Sequence, residues 1–555
     1  MSTVTAGTPN TTQTPLAPAA ADAVPMRTWL AVLAATLGAF MAVLNIQITN
    51  AALPDIQGAI GTGLDNGGWI STAYLIAEII VIPLTGWLAR VFSVRRYLLT
   101  NAALFLVFSM SCASAHDLPQ MIVLRAFQGF TGGVLIPLAF TIIMTMLPKS
   151  KQPIGLALFA LSATFAPAIG PTIGGWLNEN YGWQYIFYVN LVPGIVMLGM
   201  LVASLDPAPM NLSLLRQGDW PGIATMAIGL GALETVLEDG NKDGWFGSPF
   251  ILHLSLTAAV ALATFLAIEL TVRRPLLNLR LLLGRNFGFG TLANFLLGTA
   301  LYGSVFILPL YLSQTQGYNA EQVGEVLAWT GLPQLVLIPL VPKLMSKFDT
   351  RLLTIVGFAL FAGSSLMTIH LDANFAGPQF LLPNIVRAIG QALIMTPLSI
   401  LATADIEVED AGSASALFNM SRNLGGALGI AVLQTAFTWR EQYHSNILSS
   451  AVSLASSGTQ QTIVGLTQYF LSHGTSDPAA AHHDAIIAIG RFVRQQAEIM
   501  GYSDTFFLLG VALVLALAAS LFLHKPARPR EAARTKLEAN RSDINLKVSV
   551  DPTAQ

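Results

Sequence analysis

Ionisable side chains stand inside long apolar stretches of this 555-residue sequence. Among them are two acids, Glu78 and Glu234, and three bases, Arg125, Arg387 and Arg422. A charged side chain at the centre of a bilayer costs about 2.5–3.5 kcal/mol on insertion scales, so each needs a partner or a function. An acid in such a place can carry a proton, which makes Glu78 the first proton-coupling candidate and Glu234 the second. The alternative for Glu78 is a permanent ion pair with a buried arginine such as Arg125.

Uncharged polar side chains recur at helical spacing in several of the same stretches. Aligned polar faces on several helices favour a shared, solvated cavity that binds a solute. The candidates for this cavity are Asn45, Thr49, Tyr74, Asn294, Tyr302, Asn384 and Asn419. The alternative for each of them is a structural hydrogen bond between helices.

Glycine accompanies the arginine of the fourth apolar stretch. Arg125, Gln128 and Gly129 lie at positions i, i+3 and i+4, so one helical face carries a cation, an amide and a glycine. Small residues let a neighbouring helix approach closely. Two roles stay open for Arg125 and Arg387: a tie between helices through backbone carbonyls, or a part in substrate binding and conformational coupling.

These side chains need helices that cross a bilayer. Hydrophobic residues make up 53% of the chain and charged residues 10%, against about 25% charged in soluble domains. The sequence therefore predicts an all-α polytopic membrane protein in contact with the lipid bilayer. Because a spanning helix needs about 20 apolar residues, we predict fourteen spans, at about 28–50, 67–89, 97–115, 119–147, 153–176, 183–204, 219–237, 250–271, 287–312, 321–346, 351–371, 377–403, 411–437 and 504–524.

The distribution of basic residues predicts the orientation. Most of the 28 lysines and arginines fall on the N-terminal flank, the even-numbered connections and the C-terminal tail. Positive residues mark the cytoplasmic side, so both termini are predicted to be cytoplasmic. The acidic connection at 405–410 does not follow this pattern, but acids count little in the rule.

The two halves of the chain resemble each other weakly. Arg95 matches Arg351, and Arg125 matches Arg387, at the same places in a six-span unit. Parallel six-helix repeats are a known transporter architecture. The predicted organisation is a disordered cytoplasmic tail (1–27), an N-terminal six-helix bundle (28–204), two extra helices with their connections (205–286), a C-terminal six-helix bundle with an external loop at 440–503 (287–524), and a basic cytoplasmic tail (525–555).

Several classes of function lack support in the sequence. The G-x-x-x-x-G-K-[ST], H-E-x-x-H and G-x-S-x-G patterns do not occur. The single cysteine, Cys112, cannot form an internal disulfide or a thiolate cluster. The net charge of −2 gives no indication of a nucleic-acid partner. We therefore expect no enzyme site, no metal and no cofactor.

Four segments together are similar to a known family, the major facilitator superfamily, in its fourteen-span EmrB/QacA-like drug:proton antiporter branch. The resemblance covers residues from about 28 to 524 and rests on PLTGWLA (83–89), LRAFQG (124–129), PAIGPTIGGWL (167–177) and ASALFNMSRNLGGALGIAVL (414–433). It departs from the branch at Asn45, where drug exporters often carry Asp.

This resemblance implies two six-helix bundles plus two extra helices in a bacterial inner membrane, with proton-coupled export of amphipathic small organic compounds. Together with the helical faces described above, it marks as conformational or coupling residues Gly86, Arg90, Arg95, Arg125, Gln128, Gly129, Gly170, Pro171, Gly174, Arg387 and Arg422.

Two other functions stay open at this point. Asn45 favours a transporter, and even an importer, of one defined metabolite or vitamin. A membrane sensor or scaffold would not need polar faces in both halves. Within 440–503, apolar residues at helical spacing from Ile486 to Met500 predict an amphipathic helix at the membrane surface or against a partner, such as a periplasmic adaptor protein.

Overall fold

The computed structural model describes residues 24–524, except Gly63, Arg273, Arg274 and Leu454. Most of the predicted N-terminal tail and all of the tail from Lys525 lie outside the described residues. Within the described part the regular structure is entirely helical. A helix satisfies its backbone hydrogen bonds internally, which is what a segment in hydrocarbon requires.

The first eight long helices precede the midpoint of the chain. They are α1 (Met26–Ala51), α2 (Trp69–Phe92), α3 (Val94–Cys112), α4 (Leu118–Met146), α5 (Gln152–Tyr181), α6 (Tyr185–Ser204), α7 (Trp220–Asp239) and α8 (Pro249–Thr271).

Seven long helices follow. They are α9 (Arg285–Leu310), α10 (Ala320–Lys347), α11 (Thr350–Leu366), α12 (Leu381–Thr403), α13 (Ala411–Ala451), α14 (Ser457–Ser472) and α15 (Pro478–Leu521). Short helical turns occupy Leu53–Ala59, Leu64–Gly67, Ser213–Arg216, Trp245–Gly247, Leu279–Leu283, Tyr311–Thr315, Gly377–Phe380 and Val408–Asp410.

Local sequence signals set several of these boundaries. The side chain of Asp117 accepts a hydrogen bond from the backbone of Gln120 at 2.8 Å and caps the start of α4. Asn319 and Gln322 form a reciprocal capping box at the start of α10. Helix α5 continues through both Pro167 and Pro171.

Each of the fourteen predicted spans coincides with a helix. Of the helices in the described part, eleven are long and apolar enough to cross a membrane. The segments predicted at 97–115, 351–371 and 411–437 are helices α3, α11 and α13, which are not among the eleven.

The helix ends fall on two opposite sides of the molecule. Arg27, at the start of α1, pairs with Asp206 after α6 at 2.8 Å. Asn286, in the first turn of α9, donates to Asp405 after α12 at 3.0 Å. The end of α6 therefore lies beside the start of α1, and the end of α12 beside the start of α9. Both pairs lie on one side, which we call the N-terminal side, because the end of α2 meets Asn211 after α6 through Val91 and meets the start of α13 through Gly86.

Helix packing divides the chain into two groups with contacts between them. Helix α1 packs on α4, α5 and α6, while α9 packs on α13 and α15. The groups meet where α5 packs on α10 and where α2 packs on α13. Helix α7 packs on α8, and it also contacts both α2 and α13. This position brings α7 to the junction of the two groups.

The segment 440–503 differs from its prediction as a separate surface helix. Its second part begins α15, one helix of 44 residues that also contains the last predicted span. At 1.5 Å per residue α15 is about 66 Å long, twice the bilayer core of about 30 Å. Arg440 and His444 on α13 contact Asp504 on α15 at 2.6 and 2.8 Å. These contacts connect the last part of α13 to the part of α15 that precedes the predicted span.

Candidate functional site

A cavity of about 380 Å³ lies among α1, α2, α5, α7, α9 and α13. Its lining comes from the second halves of α1, α7 and α9 and from the first half of α2. The cavity therefore occupies the half of the molecule away from the N-terminal side. Its polar lining residues are Gln47, Asn50, Ser71, Glu78, Glu234, Glu238, Tyr302 and Asn423.

Glu78 connects the two helix groups at this cavity. Its side chain on α2 is 3% exposed, and its Oε1 accepts a hydrogen bond from Nδ2 of Asn423 on α13 at 3.3 Å. Its Oε2 has no hydrogen-bond partner among the described residues. One oxygen of Glu78 is thus available to a proton or a ligand, and the other contacts the opposite group.

Helix α7 brings two more carboxyl groups to the same cavity. Glu234 and Glu238 are one turn apart and both line it. Glu234 is 4% exposed, and its Oε2 has no hydrogen-bond partner in the described part of the chain. Glu238 was missed by the sequence analysis, although its place four residues after Glu234 puts it on the same helical face.

Arg125 lies between helices next to the cavity, with 1% exposure. Its Nη1 donates to Oδ1 of Asn45 and to Oε1 of Gln128, each at 2.7 Å. Its Nε donates to the carbonyl of Ile70 at 3.2 Å, and its guanidinium lies 4.3 Å from the centre of the Tyr74 ring. No carboxylate of the described chain lies within 4.0 Å of it, so the arginine links α1, α2 and α4 through neutral partners.

The glycines of α4 allow α2 to pack closely against α4. A Cβ on Gly129 would lie 2.8 Å from the Cα of Tyr74, and a Cβ on Gly133 would lie 3.0 Å from the Cα of Glu78. Both distances are shorter than normal carbon contacts, so α2 can pack here only against glycine. The spacing of glycines on α4 therefore determines where Glu78 stands.

A similar close contact joins α5 to α1. A Cβ on Gly174 would lie 2.9 Å from the carbonyl oxygen of Ile48, and Gly170 faces the side chain of Gln47 in the same way. Between them, Pro171 lines the cavity. These residues bring Gln47 to the cavity wall.

Among the predicted cavity residues, only Tyr302 lines the cavity in this conformation. Asn294 donates to the carbonyl of Phe418 at 2.7 Å, and Asn384 donates to the carbonyl of Val326 at 3.0 Å. The other four are buried between helices, each with a hydrogen bond to backbone or to a neighbouring side chain: Asn45, Thr49, Tyr74 and Asn419.

The other two buried arginines lie in the second helix group. Arg422 donates to Oδ1 of Asn419 at 3.2 Å, and its guanidinium lies 5.7 Å from the Phe159 ring of the first group. Arg387 lies 5.7 Å from the Phe361 ring and lines a void of about 10 Å³ beside Tyr302.

Contacts between the two groups close the N-terminal side of the cavity. A Cβ on Gly86 of α2 would lie 3.2 Å from the carbonyl oxygen of Gly412. Oγ of Ser415 donates to the carbonyl of Pro137 at 2.8 Å, and the Phe140 and Phe418 rings are 5.9 Å apart. The path from the cavity to this side is therefore blocked.

Arg90, in the last turn of α2, and Arg95, in the first turn of α3, lie on the same side. Arg90 is exposed and lines a second cavity of about 870 Å³ with Glu409 and Asp410. Arg95 is half-buried, and its guanidinium donates to the carbonyl of Val202 at 3.4 Å.

Replacing Gly86 with valine is expected to reduce transport about tenfold. Overpacking costs about 1–3 kcal/mol, and 1.4 kcal/mol changes a population tenfold, so the closed conformation would be depleted. Transport in proteoliposomes measures the effect. Gly363→Val is the matched control, because a Cβ at Gly363 has nothing within 4 Å. Equal transport by the two variants would contradict the role of this contact.

Comparison with known proteins gives a consistent family assignment. The family model described as Major Facilitator Superfamily matches residues 35–430. The colistin resistance protein EmrB of Acinetobacter baumannii is 31% identical, over 90% of this chain and 97% of its own length. The fatty acid resistance protein FarB of Neisseria gonorrhoeae is 31% identical (88% and 94%). The multidrug export protein EmrB of Escherichia coli is 32% identical (76% and 82%).

Solved structures support the fold independently. The proton:xylose symporter XylE aligns with a TM-score of 0.54 at 15% identity, over 89% of this chain and 95% of its own. The human organic anion transporter MFSD10 aligns with a TM-score of 0.53 at 14% identity, over 88% and 99%. At these identities the likeness concerns the fold alone.

Proposed function

Because the chain belongs to the major facilitator superfamily, we propose that it is a proton-coupled exporter of amphipathic small organic compounds. It is a multi-pass membrane transporter and not an enzyme. The observation that carries the proposal is the cavity between the two helix groups. It combines apolar walls with one carboxyl oxygen each of Glu78 and Glu234 that has no hydrogen-bond partner among the described residues. Three of its bacterial relatives are named for multidrug export or for resistance, which supports the direction.

The proposed arrangement in the bacterial cytoplasmic membrane has fourteen spans and two cytoplasmic termini. Residues 28–204 and 287–524 form the two six-helix bundles, and 205–286 contains the extra pair α7 and α8. With the N-terminus in the cytoplasm, the conformation described above is closed to the cytoplasm and has its cavity in the outer half. Export then requires a second conformation in which the contact between Gly86 and Gly412 is broken.

Alkaline phosphatase fusions test this orientation. A fusion within Ser457–Ser472 is expected to be active, because the enzyme folds only outside the cytoplasm, and a fusion after His524 is expected to be inactive. A fusion in the connection between α4 and α5 serves as a second cytoplasmic control. The reverse activities would contradict the orientation.

The proposed coupling uses Glu78 first and Glu234 second. Protonation from the outer side would neutralise the carboxyl group and allow the protein to return inward, where the proton is released. Arg125, Arg387 and Arg422 would transmit the change between helices, and Asn45, Thr49, Tyr74, Asn294, Asn384 and Asn419 would join the cavity surface in other conformations.

An adaptor protein is the proposed partner of the extension formed by α13, α14 and α15. Exposed apolar side chains occur on all three helices, including Tyr443, Tyr469 and Phe492. Deleting Ser457–Ser472 is expected to abolish resistance in cells and to leave transport by purified protein in proteoliposomes intact. Loss of both activities, or of neither, would contradict the partner role.

Transport of one metabolite is the second candidate, and Asn45 favours it. This residue accepts a hydrogen bond from Arg125 and cannot ionise, so α1 supplies no proton carrier. A deletion strain tested in parallel for sensitivity to toxic compounds and for auxotrophy separates the two functions. Sensitivity to several unrelated compounds is expected; a single growth requirement without sensitivity would favour the metabolite.

A further inference from the structure

We propose that the second helix group contains a binding site for a small inorganic anion, chloride, between Arg387 and Gln391 on α12. The site is the void of about 10 Å³ described above, which lies beside the cavity that Glu78 lines and shares Tyr302 with it. The inference goes beyond the proposed export function, because it concerns an ion that the protein holds and not a compound that it moves.

Arg387 carries a buried positive charge that no carboxylate of the described structure neutralises. It is 6% exposed, its Nε has no hydrogen-bond partner among the described residues, and none of the ion pairs there includes it. The Phe361 ring at 5.7 Å attracts the cation but carries no charge. An arginine keeps its proton in proteins, and a buried charge without a counter-charge is far more costly than a buried neutral group. The site therefore requires a negative charge.

The matching arginine of the first group shows what Arg387 lacks. Arg125 donates to the side-chain oxygens of Asn45 and Gln128, each at 2.7 Å. In the second group the glutamine one turn after the arginine is Gln391, and its oxygen is engaged by a different helix. Arg387 therefore has no glutamine oxygen to donate to.

The amide orientation of Gln391 is fixed by Gln334 on α10. Nε2 of Gln334 donates to the carbonyl of Thr330 at 2.7 Å, and only a nitrogen can occupy that position because a carbonyl can only accept. The same Nε2 donates to Oε1 of Gln391 at 2.7 Å, so the other end of the Gln391 amide is its nitrogen. This Nε2 is buried and has no hydrogen-bond partner in the described part of the chain. It is a second donor without an acceptor.

Arg387 and Gln391 line the same void, at the junction of α5, α9, α10 and α12. No acidic side chain is among its described lining residues. The hydroxyl groups of Thr164 and Thr330 also line it, and they donate to carbonyls of their own helices at 2.9 and 2.7 Å. One occupant that accepts from both Arg387 and Gln391 and carries a negative charge satisfies the site. A water molecule would accept from both donors but would leave the guanidinium charge without a counter-charge.

The size of the void limits the anion. A void of about 10 Å³ holds about one water molecule, so phosphate, sulfate and organic carboxylates are too large, whereas chloride is a single atom. Arg422 and Glu78 both lie near enough to Tyr302 to interact with it electrostatically. Their charges have opposite signs and offset each other, so Arg387 decides the sign of the ion.

The void belongs to the contact between the two helix groups. Ala168 of α5 lines it, and a Cβ on Gly331 of α10 would lie 2.8 Å from the Cβ of Ala168. One turn later, Thr172 donates to the carbonyl of Gly324 at 3.0 Å. A chloride bound to α12 at this place fills a gap in a tight interface, so it stabilises the conformation in which α5 packs on α10.

Thermal unfolding of the wild type, purified without chloride and placed in nanodiscs of neutral lipid, tests the inference. Sodium chloride is compared with sodium gluconate at equal ionic strength, because gluconate is too large for the void. A ligand that binds only the folded protein raises its melting temperature in a saturable way. We expect chloride to raise it by at least about 2 °C, and bromide to replace chloride. A wild type that melts at the same temperature in both salts would overturn the inference.

The variant Arg387→Met assigns the effect to this site, because it removes the charge and keeps a long side chain. It is expected to melt at the same temperature in chloride and in gluconate. Arg216→Met, at an exposed arginine, is the matched control and is expected to keep the full response to chloride. An equal response in Arg387→Met and the wild type would contradict the proposed site. If Arg387→Met does not fold, Gln391→Leu, which removes the second donor, is read by the same criterion.

Anomalous diffraction from wild-type crystals grown in sodium bromide locates the ion without any variant. A bromide peak in the void beside Arg387 and Gln391 is expected. Density without an anomalous signal would assign the void to water and refute the inference. None of these measurements depends on transport, so a failure of the proposed export function would leave their outcome unchanged.

Discussion

Transport is expected to fall at least about a hundredfold when Arg125 is replaced with alanine, while the protein remains in the membrane. The guanidinium makes three hydrogen bonds, to α1, to α2 and within α4. Hydrogen bonds to charged groups contribute about 1.5–3 kcal/mol each, so losing them from one conformation of the cycle is enough for this effect. Initial transport rates in proteoliposomes, normalised to protein, give the measurement.

Stability must be measured beside transport for this variant. The substitution leaves the side-chain oxygen of Asn45 without this donor and leaves that of Gln128 with only the thiol of Cys112, at 3.7 Å. A buried oxygen without a partner costs about 1–3 kcal/mol. Arg125→Lys keeps the charge but not the planar donor fork, so it is expected to recover abundance more than transport. Arg216→Ala removes an exposed arginine and serves as the control. Normal transport by Arg125→Ala would show that Arg125 only connects helices. Loss of the variant protein from the membrane would show that Arg125 has a structural role.

Substituting Glu78 with glutamine is expected to abolish accumulation against a gradient and to preserve substrate binding. Glutamine has the same shape, and its carbonyl oxygen can still accept the hydrogen bond from Asn423, but it cannot carry a proton. A proton that crosses the membrane contributes about 2.3 kcal/mol per 100 mV. This energy can maintain about a fiftyfold difference in substrate concentration across the membrane. A variant that no longer couples the proton loses this difference.

Accumulation in proteoliposomes with an imposed pH difference measures this loss, and binding is followed from acidic to neutral pH. In the wild type a proton on Glu78 is exchanged for the substrate, so binding is expected to weaken as the pH falls; in Glu78→Gln this dependence is expected to disappear. Glu179→Gln, at an exposed carboxyl group, provides the control. If Glu78→Gln still concentrates substrate, Glu78 is not the carrier, and the same experiment applies to Glu234.

The sequence alone determined the helices. About 20 apolar residues in a row leave the backbone no partner in hydrocarbon except itself, so the spans could be predicted without knowing their neighbours. It also determined contacts within one helix. Arg125 and Gln128 are three residues apart, and their hydrogen bond follows from helical geometry. Gly129, on the same face of α4, likewise predicted that a neighbouring helix approaches closely, and the structure shows that this helix is α2.

The tertiary structure alone decided which polar faces meet. Periodicity identifies a face of a helix but not the helix that covers it, so it could not distinguish Tyr302, which lines the cavity, from Asn294, which bonds to a carbonyl of α13. The same limit explains the extension at 440–503, where the apolar spacing predicted a helix but not its continuity with the last span. It also explains α7. Nothing in the order of the chain places Glu234 beside Glu78; only the packing of α7 on α2 and α13 does, because contacts between distant segments depend on the shapes of all the helices at once.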